Sequence, residues 1–270
     1  MTHLAQAIQP NTSRRRPSAC CAVAWAVVGS VHLGCRLRFD PSSTQDGGVD
    51  GGVSADTAPV DSAPLAPTTV MLTDSAASTN NSAVYTFNAM SIGAAAPNRL
   101  VVVAALSNSP VDVSGITVGG LAATRLIVYS QGGISAIYSA LVPLGTTADI
   151  AVSLANGASR CAIGVYSVLY QGGVTPTAMT SPVGWTGSSS TTVARLADGA
   201  GIWIGQRDNN NSAFTLTLDG VAPPADAAGT FSSANFYWQY GHTTPVADGT
   251  STYAVDFGAN TGAVIAAYFR

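Results

Sequence analysis

The sequence contains no lysine and no glutamate: its eleven basic residues are all arginine and its fourteen acidic residues all aspartate. Lysine and glutamate usually fill exposed helix positions, whereas this chain is rich in threonine, valine, serine and glycine. Only 9% of the 270 residues are charged and 47% are hydrophobic. These absences argue against a helical protein and predict an all-β fold with a large core.

The chain also has few groups for nucleic-acid or metal chemistry. Its formal net charge is −3, and its only basic cluster is Arg14 to Arg16, so no basic surface gathers phosphates. Beyond residue 70 there is one histidine, His242, and one cysteine, Cys161, which is too few for the usual zinc shells. We therefore expect no nucleic-acid partner and no cofactor.

The N-terminal region has the order of an export signal. Arg14 to Arg16 precede an uncharged stretch, residues 17–35, whose centre is strongly apolar. That centre is shorter than the roughly 20 residues that span a bilayer. We therefore expect a signal peptide over residues 1–34, with an uncleaved membrane anchor as the alternative.

The end of this stretch, Val31-His32-Leu33-Gly34-Cys35, resembles a bacterial lipobox. Gly34 and Cys35 match that pattern, whereas His32 stands where a leucine is usual. The resemblance implies that Cys35 is lipidated and becomes the mature N-terminus, anchored to the bacterial cell envelope. Ordinary secretion is the alternative outcome.

Residues 35–69 have the composition of a tether. Five aspartates are dispersed there among proline, glycine, serine and alanine, with few bulky apolar side chains to bury. The repeated Asp-Gly-Gly-Val at residues 46–53 lacks the bidentate glutamate of a calcium loop. We expect this segment to be disordered and to hold the following domain away from the membrane.

From residue 70 onward, short apolar or alternating runs are each closed by turn residues. Their lengths suit strands, and no helical pattern of 10 to 15 residues separates them, so antiparallel pairing is expected. The pattern predicts one β-sandwich domain of two packed sheets over residues 70–270, jelly-roll or Greek-key like. The thirteen predicted strands are residues 83–88, 99–106, 116–118, 122–129, 135–142, 149–154, 160–169, 191–196, 201–206, 213–218, 235–240, 251–257 and 262–269.

Two segments of the chain show a weak internal sequence similarity, an echo of one in the other. Residues 152–166 and 255–268 both read as strand, turn, strand, with similar apolar residues and a late tyrosine. We interpret them as two similar hairpins of one sandwich, because a true repeat would need more matching positions.

A set of strand and turn segments carries a family resemblance: residues 98–103, 116–124, 136–138, 143–145 and 161–166. Together they resemble a β-sandwich module of phage tail and bacterial surface proteins. The resemblance implies a β-sandwich in an extracellular setting, and its motifs contain no catalytic residue.

The shortage of reactive side chains argues against catalysis. A Ser-His-Asp triad would have to use His242, with Asp248 nearby, but no Gly-x-Ser-x-Gly elbow is present. An aspartate-dependent glycoside hydrolase is a distant third hypothesis, because sequence cannot show two facing carboxyl groups. We therefore expect that the chain is not an enzyme.

The polar segment at residues 208–211 and the lone cysteine Cys161 each have a functional and a structural interpretation. Asp208, Asn209, Asn210 and Asn211 could supply oxygen ligands to calcium, but the same residues favour a plain turn. On the strand 160–169, Cys161 shares a face with Ile163 and Val165, which predicts a buried thiol rather than a reactive one.

The best candidate for ligand binding is the aromatic strand at residues 235–242. Its alternation places Phe236, Trp238 and Tyr240 on one face and Tyr237 and Gln239 on the other. One face is expected to be core, and the other, with Trp185 or Trp203, could stack sugar rings; ordinary sheet packing is the competing interpretation. The candidate ligand-binding residues are Tyr237, Trp238, Gln239, Tyr240 and His242.

Together these observations predict a non-catalytic extracytoplasmic surface protein that binds a glycan or a protein partner. The alternative is a structural component of the cell surface or of an appendage, without a small-molecule ligand. Its expected contact with the membrane is the lipid on Cys35.

Overall fold

The computed structural model describes residues 67–109, 112–130, 132–155, 159–170, 177–178, 187–195, 197–244, 247 and 249–269. They belong to one compact unit, Val60–Arg270. The predictions for the leader, the tether, Cys35, Trp185 and Asp248 lie outside the described residues. The prediction of an all-β, antiparallel fold is confirmed, because every ladder between the named strands is antiparallel.

The described residues of the first half of the fold, Thr69–Leu169, form nine strands. They build a first inner sheet of order β1-β9-β3-β7-β6 and a first outer sheet of order β2-β8-β4-β5. The chain moves back and forth between the two sheets, which is the jelly-roll arrangement. The strands are β1 Thr69–Ser82, β2 Val84–Ser91, β3 Arg99–Ser107, β4 Val113–Val118, β5 Leu121–Ala122, β6 Thr124–Ser130, β7 Ile134–Leu141, β8 Thr147–Leu154 and β9 Ser159–Leu169.

Eight strands are described in the second half, Thr177–Phe269, and they follow the same order. The second inner sheet runs β10-β17-β12-β15-β14 and the second outer sheet β11-β16-β13. One turn of 3₁₀ helix, Ser232–Ala234, joins β14 to β15. The strands are β10 Thr177–Ala178, β11 Ser188–Arg195, β12 Ala200–Arg207, β13 Thr215–Leu218, β14 Ala227–Phe231, β15 Phe236–His242, β16 Gly249–Asp256 and β17 Gly262–Phe269.

The two halves correspond strand by strand and, in places, residue by residue. Ile116-Thr-Val-Gly-Gly-Leu-Ala122 in the first half matches Leu216-Thr-Leu-Asp-Gly-Val-Ala222 in the second. Both segments turn through two residues with positive φ, Gly119-Gly120 and Asp219-Gly220. These are type I′ hairpin turns, whose twist matches that of the flanking strands. The fold is therefore a tandem duplication of one jelly roll.

The four sheets stack in the order outer, inner, inner, outer. A largely aliphatic core lies between the sheets of the first half, a second core lies between the two inner sheets, and a third lies between the sheets of the second half. The central strands of both inner sheets are thus covered on both faces, and β17 is buried along its whole length. This arrangement explains why so few charged residues suffice, because six of the eight sheet faces pack against another sheet.

The sequence interpretation requires two corrections. The residues from 70 onward form four sheets in two sandwiches, whereas two sheets in one sandwich were predicted. The echo between residues 152–166 and 255–268 is not a pair of hairpins in one sandwich, because it falls on equivalent strands, β8–β9 and β16–β17. The repeat was hidden because apolar residues replace one another freely in a core.

Candidate functional site

The aromatic strand predicted to bind sugar is β15, and most of it lies inside the fold. Phe236, Trp238 and Tyr240 share one face, as predicted, and pack between the two inner sheets. Burial is the main reason that the pKa of Tyr240 is raised. This face is core and presents no ring on which a sugar could stack.

The other face of β15 is also covered, because the second outer sheet packs on it. Gln239 is buried, and the partly buried Tyr237 contacts Phe214 edge to face. The Tyr237 hydroxyl donates a 3.3 Å hydrogen bond to Gln239 Oε1. The proposed platform of Tyr237, Trp238, Gln239 and Tyr240 is therefore corrected: the duplication buries both faces of the strand.

His242, at the end of β15, is the member of the predicted set that lines a cleft. Its Nδ1 lies 2.7 Å from Asp226 Oδ2, and the Tyr166 hydroxyl donates a 3.1 Å hydrogen bond to the same oxygen. Tyr166 belongs to β9 of the first half, whereas Asp226 and His242 belong to the second half. The three residues thus link the two halves where their inner sheets meet.

A second cavity, the Arg125 groove, lies in the first half where β4 of the outer sheet passes over β6 and β7 of the inner sheet. Its volume is about 460 Å³. Arg125 Nη1 lies 3.3 and 3.2 Å from the two carboxylate oxygens of Asp112, and the Tyr138 hydroxyl donates to the Val113 carbonyl at 2.8 Å. Ser114, Thr117 and Ser153 add hydroxyl groups, and Ala122 and Ala123 add apolar wall.

The electrostatics of the groove are balanced. The side chains of Arg125 and Asp112 are 47% and 52% exposed, so their pairing contributes little stability and is easily opened by a ligand. One positive and one negative group leave the groove without net charge. It therefore suits a neutral ligand with several hydroxyl groups better than a phosphate or an amine.

The loop Asp208–Asn211 uses its side-chain oxygens internally. Asp208 Oδ1 accepts a hydrogen bond from the Asn209 amide, and Asn210 Oδ1 accepts one from the Ser212 amide. Asn209 adopts a left-handed conformation with φ of 60°. Burial raises the pKa of Asp208, and the Asn209 hydrogen bond partly offsets this. The geometry is that of a turn built by asparagine and aspartate.

Cys161 is buried, as predicted, in the core of the first half beside Ile163 and Val165. Among the described residues, no three histidine, cysteine or acidic side chains come together as metal ligands. Within the same part of the chain, no helix has the length and apolar character needed to cross a membrane.

Sequence reasoning missed Asp226, Tyr166, Asp112 and Arg125. The sequence contains an indication only for Asp226. It lies sixteen residues before His242, and two residues at that spacing can be brought into contact by neighbouring antiparallel strands. The partners of the other residues depend on how sheets stack. No protein family matches this chain, and neither a curated protein nor a solved structure matches it.

Proposed function

We propose that this chain is a non-catalytic extracytoplasmic surface protein that binds a neutral glycan in the Arg125 groove. The observation that carries the proposal is the combination of size and charge in that groove. Its volume of about 460 Å³ falls within the range of ligand sites, about 300 to 1,000 Å³. Its guanidinium, carboxylate and hydroxyl groups match the alternating donors and acceptors of a sugar, without a net charge to be neutralised.

The scarcity of reactive groups supports binding rather than catalysis. His242 is bonded to Asp226, and among the described residues no hydroxyl group donates to His242 as the nucleophile of a triad would. In the Arg125 groove the carboxylate of Asp112 is paired with Arg125, whereas a glycosidase requires two facing carboxyl groups.

The sequence supports placing this domain outside the cytoplasm. Arg14 to Arg16, the apolar stretch and the Gly34-Cys35 pair are the features of a lipoprotein signal. We expect mass spectrometry of the mature protein to find an acyl chain on Cys35 as the N-terminal residue. A mature N-terminus at another position, without acylation, would exclude this anchor.

The experiment for the glycan is an array screen of the full chain, followed by titration of the best ligand. Arg125→Gln removes the guanidinium, and Gly115→Leu fills the groove, where a Cβ at Gly115 meets no atom within 4 Å. Both variants should weaken binding at least tenfold without lowering the melting temperature. Arg195→Gln, in the second ion pair, is the control. Undiminished affinity in both groove variants would refute the proposed site.

A structural surface component is the second candidate, favoured by the open outer face of β11, β16 and β13. That face carries an open depression of about 450 Å³, and the residues that line it include Ser188, Ser190, Thr215, Thr217 and Asp256. Concentration-dependent assembly of the full chain in sedimentation experiments, with no glycan bound on the array, would favour this candidate over the first.

A further inference from the structure

The cleft that His242 lines, the His242 cleft, lies in the second half and differs from the Arg125 groove in chemistry. It has a volume of about 230 Å³ and a mostly apolar wall. The segment that connects the outer hairpin to β14 supplies half of the lining residues, and two prolines make it rigid, because their φ angles are fixed. The lining residues other than His242 are Leu218, Val221, Ala222, Pro223, Pro224, Thr243 and Thr244.

The hydrogen bonds behind the cleft determine how its histidine is presented. An ionised carboxylate only accepts hydrogen bonds, so Asp226 Oδ2 receives one from the Tyr166 hydroxyl and one from His242 Nδ1. The Asp226 backbone amide also donates to the Tyr240 carbonyl at 2.8 Å, which holds the carboxylate in place. In the neutral imidazole, Nδ1 therefore carries the proton and Nε2 remains as an acceptor.

We infer that the His242 cleft is a second sugar site, which takes a pyranose with an apolar edge, the chemistry of a 6-deoxyhexose. The volume suits one six-membered ring rather than an oligosaccharide. The aliphatic wall matches a methyl group and ring C–H bonds, and His242 Nε2 accepts a hydrogen bond from one ring hydroxyl. A hydroxyl group added to the apolar edge would face the aliphatic wall and lose hydrogen bonds to water, which weakens binding.

The first half provides an internal comparison for this site. Val221 and Leu121 occupy equivalent positions after the two hairpin turns and are both exposed, at 70% and 52%. In the second half His242 pairs with Ile202, and in the first half Ser139 pairs with Val102, the equivalent of Ile202. Ser139 therefore stands at the position equivalent to His242. The first half therefore lacks the imidazole, and Leu121 is a matched control for Val221.

The experiment is a titration of the full chain with methyl α-L-fucopyranoside and methyl α-L-rhamnopyranoside, following the ring protons of His242 by NMR. Their counterparts with a 6-hydroxyl group, the L-galactoside and the L-mannoside, serve as paired controls. We expect at least one 6-deoxy sugar to shift the His242 signals and to bind at least fivefold more tightly than its counterpart. His242→Gln and Val221→Ser should each weaken its binding at least fivefold, and Leu121→Ser should not.

Three results would overturn the inference: no shift of the His242 signals with either deoxy sugar, equal affinity for the 6-hydroxy counterparts, or unchanged binding in Val221→Ser. Binding that Arg125→Gln abolishes and His242→Gln leaves intact would place the sugar in the Arg125 groove. That outcome refutes the second site while supporting the proposed function. Conversely, loss of binding in the His242 and Val221 variants alone supports the second site, whatever the groove binds.

Discussion

The two halves of the molecule share one strand order but fill their cores differently. In the first half, the space between the sheets is occupied mainly by aliphatic side chains such as Val103, Ile116 and Ile150. In the second half, Trp203 stands at the position equivalent to Val103, and Tyr253 at that equivalent to Ile150. The comparison shows that the alternation pattern specifies the topology, while quite different side-chain volumes can fill the same frame.

Glycines make room for the larger rings of the second half. A Cβ at Gly241 would overlap the Trp203 ring, one at Gly205 would overlap Phe214, and one at Gly262 would overlap Phe257. Ring and glycine thus form complementary pairs across the core. The second half depends on a few large side chains, each with a specific partner, whereas the first half depends on many small ones.

The largest expected effect comes from removing one of those rings. Trp203→Ala should lower the free energy of unfolding by about 3 to 5 kcal/mol, because it leaves a cavity beside the glycine that had made room for the ring. Val103→Ala, at the equivalent position, should cost about 2 kcal/mol. Chemical denaturation measures both values, and equal costs would contradict the contrast between the two cores.

A buried arginine distinguishes the first half. Arg99 is fully buried and donates hydrogen bonds to the carbonyl oxygens of Gly93, Val142 and Leu144, at 2.6 to 2.8 Å. It thereby fixes the loops that lead into β3 and out of β7. The residue one hundred positions later is Gly199, which has no side chain to act as a clamp at the equivalent position of the second half.

Replacing Arg99 tests the importance of that clamp. Arg99→Met should cost about 2 to 4 kcal/mol, because three carbonyl groups lose the charged donor of a buried side chain. Arg125→Met, which removes an exposed arginine of the same half, should change stability by less than about 1 kcal/mol. Similar melting temperatures for the two variants would show that the buried hydrogen bonds contribute no more than a surface ion pair.

Adding a methyl group tests the glycine pairs directly. Gly241→Ala should cost about 1 to 3 kcal/mol, because the new Cβ meets the rigid Trp203 ring. Gly115→Ala in the first half meets open space and should change the free energy of unfolding by less than about 0.5 kcal/mol. If Gly241→Ala costs little stability in a protein that already carries Trp203→Ala, the two residues are energetically coupled. If the two costs simply add, the residues act independently.

The sequence predicted the class of the fold well, and for a physical reason. Period-two alternation, turn residues and the apolar run of β3 follow from the pleat and from burial on both faces, so most strands and the buried Cys161 were predicted correctly. The polar edge strand β1 was missed because its exposed side chains, such as Asn80 and Asn81, resemble those of a loop. An edge strand needs only one apolar face.

The sites were less predictable, because they depend on how sheets stack rather than on local pattern. The sequence placed His242 at the end of the aromatic strand, but only the packing of the two inner sheets brings Tyr166 of β9 near Asp226. The same stacking buried Trp238 and removed it from any surface. The residue types along one strand do not show which of its two faces is buried by a sheet from the other half of the molecule.

The smallest expected effect concerns the buried thiol of Cys161. Its counterpart in the second half is Gly262, because Cys161 pairs with Ser107 and Gly262 pairs with the equivalent residue, Arg207. Burial raises the pKa of Cys161 to about 12, from the ordinary value of 9.0. Between these values the unfolded chain loses the thiol proton and the folded chain keeps it, so stability falls as the pH rises. We expect this thiol to lower the free energy of unfolding by about 1 kcal/mol between pH 9 and pH 10. Cys161→Ala should remove that part of the pH dependence and leave the part due to the buried tyrosines. Parallel pH profiles for the two proteins would show that the thiol ionises equally in both states.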